Sequence, residues 1–481
     1  MNKYLFSLFL LLAISFSGIA QSVFEVNDLK KHLEVLASEE FEGREAGRPG
    51  AEKAANYIRG EFKKAGLVLL GNDGIQKFSF QGGRKMGGKT SLKVKGYTSK
   101  AGIEYASYVY TPGANTKSKV VFVGYGMENE FHNDYHDVDV KGKWVLIITG
   151  KPAAERFNSR SLSENKKIDN ARKKGAKGVI FVDPSHRNPK DTIIPEQLTT
   201  IFFDMPVVQI KRTLCDSFLV GNELAIDAAI ALYAKADTVL SRELKADFSY
   251  KSDIVPSEFI GRNVVGILKG SDSKLRNEFV VIGGHLDHLG LRSKGSTVDI
   301  YRGADDNASG ATAVIELAKQ MAQLKEKPKR TIVFVSFDAE EKGLLGSDYF
   351  IKNLPREITM PKIVAMINLD MIGRYTDKEG LVVIGSNSSK EGESIVNSLQ
   401  STTTLKLSLD SELFANSDHA SFHKNNIPVF FLFTGLHKDY HKPTDTPDKI
   451  NYEKMSEIVS FTERLALELA NRPTALEFKT K

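Results

Sequence analysis

Five apolar runs in the second half of this chain read as strands with both faces buried, and helical patterns separate them. The runs are NVVGILKG from Asn263, FVVIGGH from Phe279, TIVFVSFD from Thr331, KIVAMINLD from Lys362 and IPVFFLFTG from Ile427. They are almost continuously apolar rather than alternating, so solvent cannot lie on either side of them. Between them, Ala311, Val314, Ile315, Ala318 and Met321 line one face of a helix, and Ile458, Phe461, Leu465 and Leu469 line another. Strands alternating with helices predict an α/β fold, a mostly parallel sheet sandwiched by helices. In such sheets ligands gather outside the carboxyl ends of the strands. The residues that end these runs therefore carry the functional information.

Those residues are His285 in GGHLDHLG, Glu340 and Glu341 in FDAEEKG, Asp370 in INLDMIG and His441 in DYHKPTDT, joined by Asp306 in the glycine-rich GADDNASG. Two imidazoles and three carboxylates suit a pair of divalent cations, zinc first, with cobalt or manganese as substitutes. One carboxylate between two ions offsets part of their repulsion, and water acidified by them becomes a nucleophile near neutral pH. A carboxylate that is not a ligand can take the water's proton and pass it to a leaving amine. The pair Glu340–Glu341 offers one carboxylate for each task, since neighbours at a strand end point in different directions. Asp287, two residues after His285, is placed to accept the imidazole's other N–H. Asp445 stands in a comparable supporting position near His441. His288 and His437 are the rival imidazoles, and the EF-hand spacing that would make GADDNASG a calcium loop is absent.

The first half is organised differently. Helical spacing runs through Leu29, Leu33 and Leu36, and again through Ala54, Ile58, Phe62 and Ala65, with EGREAGRPG between. Short strand and loop patterns follow over residues 75–118. A middle unit contains KVVFVGYG, KWVLIITG, GVIFVD and MPVVQI as strands and a polar helix near residues 165–174. Its histidines, His132, His136 and His186, have no acids at ligand spacing and read as surface residues.

Length and composition bound the rest. The chain has 481 residues, too many for one ordinary core. It is 41% hydrophobic and 26% charged with a net charge of +6 and no basic stripe, which gives no case for nucleic acid. Lys3 followed by the apolar Tyr4–Ile14 stretch and the small residues before Gln21 reads as a signal peptide over residues 1–20. A single cysteine, Cys215, excludes an intrachain disulfide. The expectation is an exported protein, periplasmic or secreted, with no integral membrane segment in the mature chain. Oligomeric state is not legible.

The motifs GGHLD, RGADDNASG, FDAEEKGLLGS, NLDMIG, SDHASF and YHKPTDT occur in the order found in the M28 family of zinc peptidases, the aminopeptidase Y and leucyl aminopeptidase group, and the chain from Asp253 to Asn471 resembles that family. The segment LASEEFEGREAGRPGAEKAANYIRGEFKKAGL is similar to the family's amino-terminal helices. The middle unit, with FVGYG and GKWVLIITGKP, resembles the protease-associated (PA) domain inserted in such enzymes. After the signal peptide at 1–20, the resemblance implies an amino-terminal helical part over 21–95, a PA domain over 96–250 and a catalytic domain over 251–475. It implies two zinc ions per chain, one held by His285, Asp306 and Asp370, the other by Asp306, Glu341 and His441, with Asp306 bridging and Glu340 as general base and acid. Tyr440 matches a tyrosine that helps the oxyanion in some members, and the peptide after Asp306 matches a cis bond. The implied function is an exported dizinc aminopeptidase acting on peptides with a free amino terminus. Alternatives are a carboxypeptidase or dipeptidase, marked by arginines facing the cleft (Arg262, Arg302 and Arg374 are candidates), a one-zinc glutaminyl cyclase, and a non-catalytic module that binds proteins through the PA unit.

Overall fold

The computed structural model describes residues 24–129, 132–152, 163–193, 203–219, 225–235, 240–294, 297–411 and 416–479. The segment read as a signal peptide lies outside the described residues. No described helix is long and apolar enough to cross a membrane.

Two large sheets divide the described chain. The larger has nine strands. Its path runs through 68–69, 254–268, 331–337, 279–285, 363–369, 429–433, 381–384 and 407–410, and strand 75–86 pairs off this path with 254–268. Its centre is parallel: Phe279–His285 lies between Thr331–Phe337 and Ile363–Leu369, and Val429–Phe433 adds alongside. The five apolar runs are thus all strands of one sheet. Alternate side chains serve opposite faces. Val280, Ile282, Ile332 and Phe334 pack beneath helices Val26–Leu36, Pro49–Lys64, Gly310–Gln323 and Tyr452–Asn471. Phe279, Val281, Val333 and Val335 face Phe350, Ile351 and Phe422 from the two short helices on the other side. Each such side chain, fully buried, contributes roughly 1.5–3 kcal/mol of transfer free energy. This double cover explains why the strands read as unbroken apolar runs.

The second sheet has eight strands, in the order 97–99, 91–94, 242–251, 115–122, 144–148, 178–182, 207–210, 105–107. It too has a parallel centre, from 115–122 to 207–210. The two sheets meet through a long antiparallel ribbon: Ile75–Met86 runs out along Ile254–Leu268, paired from Val264↔Ile75 to Ile254↔Met86. The described strands and helices between the two arms of this ribbon form the second unit. Strand Ser91–Val94 pairs with Arg242–Lys251, so the second sheet takes in residues that the sequence reading assigned to the amino-terminal part. The reason is their polarity: a half-exposed strand of four residues, between strands 97–99 and 242–251, has no apolar run to tie it to the unit that follows.

His132 is also not a surface residue. It is buried, and its Nε2 lies 2.9 Å from Asp134 Oδ1. Trp144, the chain's one tryptophan, is fully buried in this unit against Phe248 and Tyr250. Nearby, Lys167 is buried with its Nζ donating to the carbonyls of Ile148 and Gly150, each at 2.8 Å. Burial pushes its ammonium down to about 7, although Glu164 and Asp134 pull the other way.

Between pH 7 and the ordinary lysine range near 10.5 the unfolded chain holds a proton that folded Lys167 does not. Its contribution to stability is therefore fully present above that range and is lost as pH falls through 7. Urea unfolding of the whole protein, followed by Trp144 fluorescence, is expected to show wild type gaining on Lys167→Met from pH 7 to pH 10. A stability difference independent of pH would contradict the assignment.

Candidate metal centre

The carboxyl edge of the large sheet gathers the residues in question. His285 is the last residue of its strand, and Asp370 directly follows Ile363–Leu369. Glu340 and Glu341 sit in the turn after Thr331–Phe337, and His441 lies in the loop after Val429–Phe433. Asp306 precedes the helix Gly310–Gln323, and the Asp306–Asn307 peptide bond is cis. Three of these loops bend through left-handed, non-glycine residues: Ala339 at φ 60°, Met371 at φ 56° and His441 at φ 54°. Such a conformation costs about 1–3 kcal/mol per residue and persists where surrounding contacts over-determine it, as at binding sites.

The donor atoms converge. His285 Nε2 lies 3.2 Å from Asp370 Oδ1 and 3.4 Å from Asp306 Oδ1. His441 Nε2 lies 3.1 Å from Asp306 Oδ2 and 3.3 Å from Glu341 Oε2. Around a tetrahedral ion with N and O ligands at about 2.0 Å, neighbouring donors stand about 3.3 Å apart. The spacing therefore fits two such ions, with one oxygen of Asp306 turned to each imidazole. Glu340 Oε2 is further away, 4.0 Å from His285 Nε2. Among the described residues two groups of donors fall within 4.8 Å of one another: His285 with Glu340 and Asp370, and His288 with Asp306 and Glu341.

His288, a rival imidazole in the sequence reading, also joins the cluster. Its Nδ1 lies 2.8 Å from Glu341 Oε1 and 3.6 Å from Asp306 Oδ2. It is completely buried, whereas the His441 side chain is 37% exposed at the open side of the site. Glu341 thus faces His288 with one oxygen and His441 with the other. Nothing in HLDH indicated this, because the direction of His288 depends on how the loop after His285 folds back. His437, the other rival, is held away from the cluster: its Nε2 is 3.1 Å from Asp305 Oδ2.

Two supporting roles differ from expectation. The imidazole of His285 turns its Nδ1 to the main-chain carbonyl of Asp287 at 3.1 Å, with the Asp287 carboxylate 3.7 Å away. That carboxylate instead accepts from the backbone N–H groups of Glu340 at 3.0 Å and Glu341 at 3.3 Å, which fixes the glutamate turn. Asp445 supports the Asp306 loop, its Oδ2 accepting from the N–H groups of Asp305 and Asp306 at 2.9 and 3.1 Å. Ser417 donates to Asp370 Oδ2 at 2.8 Å and accepts from Asn368 at 2.7 Å. Tyr440 stacks on His441, ring centres 3.8 Å apart.

Crowding this many carboxylates in a buried space forces protons onto the site when no cation is present. Burial, with Asp370, Asp418 and Asp287 nearby, pushes Glu340 up to about 10 against the pull of His285. Burial would raise Glu341 as well, but hydrogen bonds from His288 and His441 hold it well below the ordinary carboxylate range. Burial lowers His441, yet Asp306 and Glu341 outweigh that and lift it to about 10. Divalent cations supply the same positive charge and reverse this logic.

The model of peptidase family M28 matches residues 263–465, and that of the PA domain matches residues 104–217. Residues 263–465 form a peptidase family M28 domain. The chain is a hydrolase with a PA domain in its first half. Aminopeptidase YwaD of Bacillus subtilis (strain 168) is 26% identical over 438 residues, 87% of this chain and 80% of that protein. A probable leucine aminopeptidase of Trichophyton verrucosum is 30% identical over 230 residues, covering 46% of this chain and 61% of that one. Among solved structures, an aminopeptidase from Aneurinibacillus sp. strain AM-1 superposes with TM-score 0.50 at 25% identity, over 95% of this chain and 96% of that one. A zinc aminopeptidase from Bacillus subtilis superposes with TM-score 0.52 at 21% identity over 94% and 97%, which shows a shared fold.

Gly310 is where the M28 site tolerates no side chain. A Cβ there would stand 2.1 Å from Leu369 O and 2.4 Å from Asn307 Oδ1, prising the Asp306 loop from the Asp370 strand. Gly310→Ala is expected to destabilise by about 1–3 kcal/mol and to lower activity at least tenfold. Gly60→Ala, in a helix with nothing near its Cβ, is expected to stabilise by roughly 0.5–1 kcal/mol. Denaturant titration and a peptidase assay of the two variants check both statements.

Proposed function

We propose that this M28 peptidase is an exported dizinc aminopeptidase that removes the amino-terminal residue of peptides. The observation that carries the proposal is Asp306, which offers one oxygen towards His285 and the other towards His441. In this reading His285, Asp306 and Asp370 hold one zinc ion and Asp306, Glu341 and His441 hold the second. His288 keeps Glu341 oriented through its 2.8 Å contact and is a supporting group. Zinc held there supplies Lewis-acid polarisation of the scissile carbonyl and acidifies water. Glu340 stands beyond the ligand set and serves as the general base, taking the proton of the attacking water and delivering it to the leaving amine. Tyr440 forms part of the pocket wall and holds the His441 ring by stacking. Its assistance to the oxyanion remains part of the proposal.

The pocket supports an aminopeptidase over a carboxypeptidase. Its described lining combines the metal-site residues with Met371, Asn416, Phe431, Phe433, Leu436 and Tyr440, and holds no lysine or arginine to anchor a substrate carboxylate. Each of the three arginines singled out for that role is paired with a carboxylate of the protein: Arg262 with Glu52, Arg302 with Glu39 and Arg374 with Asp439. An apolar wall beside a cluster of carboxylates suits an uncharged side chain next to a free α-amino group. The rival of an inert binding module is disfavoured because no donor in the cluster is replaced. Export in this reading rests on the sequence of the first twenty residues. The PA unit is read as an insertion spanning residues 91–251 between the two arms of the antiparallel ribbon.

Zinc-loaded enzyme is expected to release the first residue from peptides with a free amino terminus and to leave N-acetylated copies intact. Glu340→Gln is expected to lose about 10²–10⁴-fold in kcat while retaining its zinc. Equal cleavage of acetylated peptides, or full activity of the variant, would overturn the proposal.

A further inference from the structure

Arg44 lies outside the candidate catalytic machinery, yet it is completely buried and sits in a left-handed conformation at φ 52°. Its guanidinium reaches four main-chain carbonyls. Nε donates to Leu286 O at 2.8 Å, Nη1 to Leu36 O and to Arg302 O at 2.7 Å each, and Nη2 to Gly303 O at 2.9 Å. Leu286 directly follows His285, and Arg302 and Gly303 lead into the Asp306 segment. A single side chain from the EGREAGRPG loop thus ties the amino-terminal helix to two ligand-bearing loops.

The main chain of the same loop adds to this. Arg44 O accepts from His288 N at 3.1 Å. Glu45 accepts from Lys342, the neighbour of Glu341, at 2.8 Å. Gly43 lies so close to the strands behind the site that a Cβ would stand 2.3 Å from Tyr301 O. The loop is therefore pressed against the ligand-bearing segments from behind.

A fully buried cation without a touching carboxylate is costly, and here the compensation comes from four aligned carbonyl dipoles and from the field of Asp306, Asp287, Asp445 and Glu341. A guanidinium holds its donors in a planar fork and keeps its charge at any working pH, whereas a lysine ammonium is a point charge that cannot reach carbonyls on three segments at once. Resting on the dizinc reading above, we propose that Arg44 is a positioning residue for the metal centre. It sets the spacing between the His285 strand end and the Asp306 loop, and it supplies a permanent positive charge behind the carboxylates before any metal binds.

The test uses the whole protein, stripped of metal and titrated with zinc against a chromophoric chelator. Wild type, Arg44→Lys, Arg44→Met and Arg356→Gln are compared, with circular dichroism to confirm folding and the cobalt-loaded absorption spectrum to report ligand geometry. Loss of a group that orients ligands typically weakens metal binding by about 10–100-fold. Arg44→Lys is expected at the lower end and Arg44→Met at the upper, with an altered cobalt spectrum in both. Arg356→Gln, which removes an equal charge from the surface, where Arg356 pairs with Glu357, is expected to bind zinc like wild type. Arg44→Lys keeps charge and stem, so it decides the matter even if Arg44→Met does not fold. Two zinc ions in wild type with Arg44→Lys affinity within twofold, and an unchanged cobalt spectrum, would overturn this proposal alone. Wild type binding fewer than two zinc ions would overturn the dizinc reading and this proposal with it.

Discussion

The crowding of buried carboxylates at one sheet edge is the constraint that the rest of the structure answers. Asp287, Asp305, Asp306, Asp370, Asp418 and Asp445 are all buried there, and Glu340 and Glu341 lie beside them. Isolated, each ionised carboxylate in such a place would be strongly unfavourable. The structure answers with backbone N–H groups on Asp287 and Asp445, a hydroxyl on Asp370, imidazoles around Asp306 and Glu341, and the Arg44 guanidinium behind. What these partners leave unbalanced is the charge of the central donors. That residue of negative charge is why the site calls for dications.

The fold makes this concentration possible without unfolding itself. Four parallel strands place their last residues on one edge, and the apolar side chains below them are packed on both sheet faces. Left-handed turns at Ala339, Met371 and His441 then aim the chain back over the edge. Support is exchanged between loops rather than within them: Asp287 holds the glutamate turn, Asp445 holds the aspartate loop, and Asn307 bonds to Leu369 O beside Asp370. Such cross-bracing keeps each donor within the few tenths of an ångström that coordination requires.

Much of this was legible in the sequence, for a physical reason. A strand buried on both faces must be an unbroken apolar run, so its end is visible, and a His, Asp or Glu at that end stands out. His285, Glu341, Asp370 and His441 follow such landmarks, Asp306 precedes a helix of clear period, and the five converge in the structure. The helix Gly310–Gln323 was visible through its 3.6-residue period. What could not be read depends on directions within loops. His288 differs from any loop histidine only by how three residues turn after the strand. The Asp287 carboxylate points at the glutamate turn and not at its own neighbour His285, a choice set by the opposing loop. Arg44 bonds only to main-chain carbonyls, which every residue carries, so no partner in the sequence betrays it. Strand Ser91–Val94 was visible as a short alternating run, but its partner Arg242–Lys251 lies about 150 residues away, so the sheet it joins was not legible.

The proposed bridging role of Asp306 is tested most directly by zinc stoichiometry in native mass spectrometry of wild type, Asp306→Ala and Asp370→Ala. The account predicts two zinc ions in wild type, loss of high-affinity binding of both in Asp306→Ala, and retention of one in Asp370→Ala. A wild-type protein that holds a single ion, or an Asp306→Ala variant that still holds two, would contradict it.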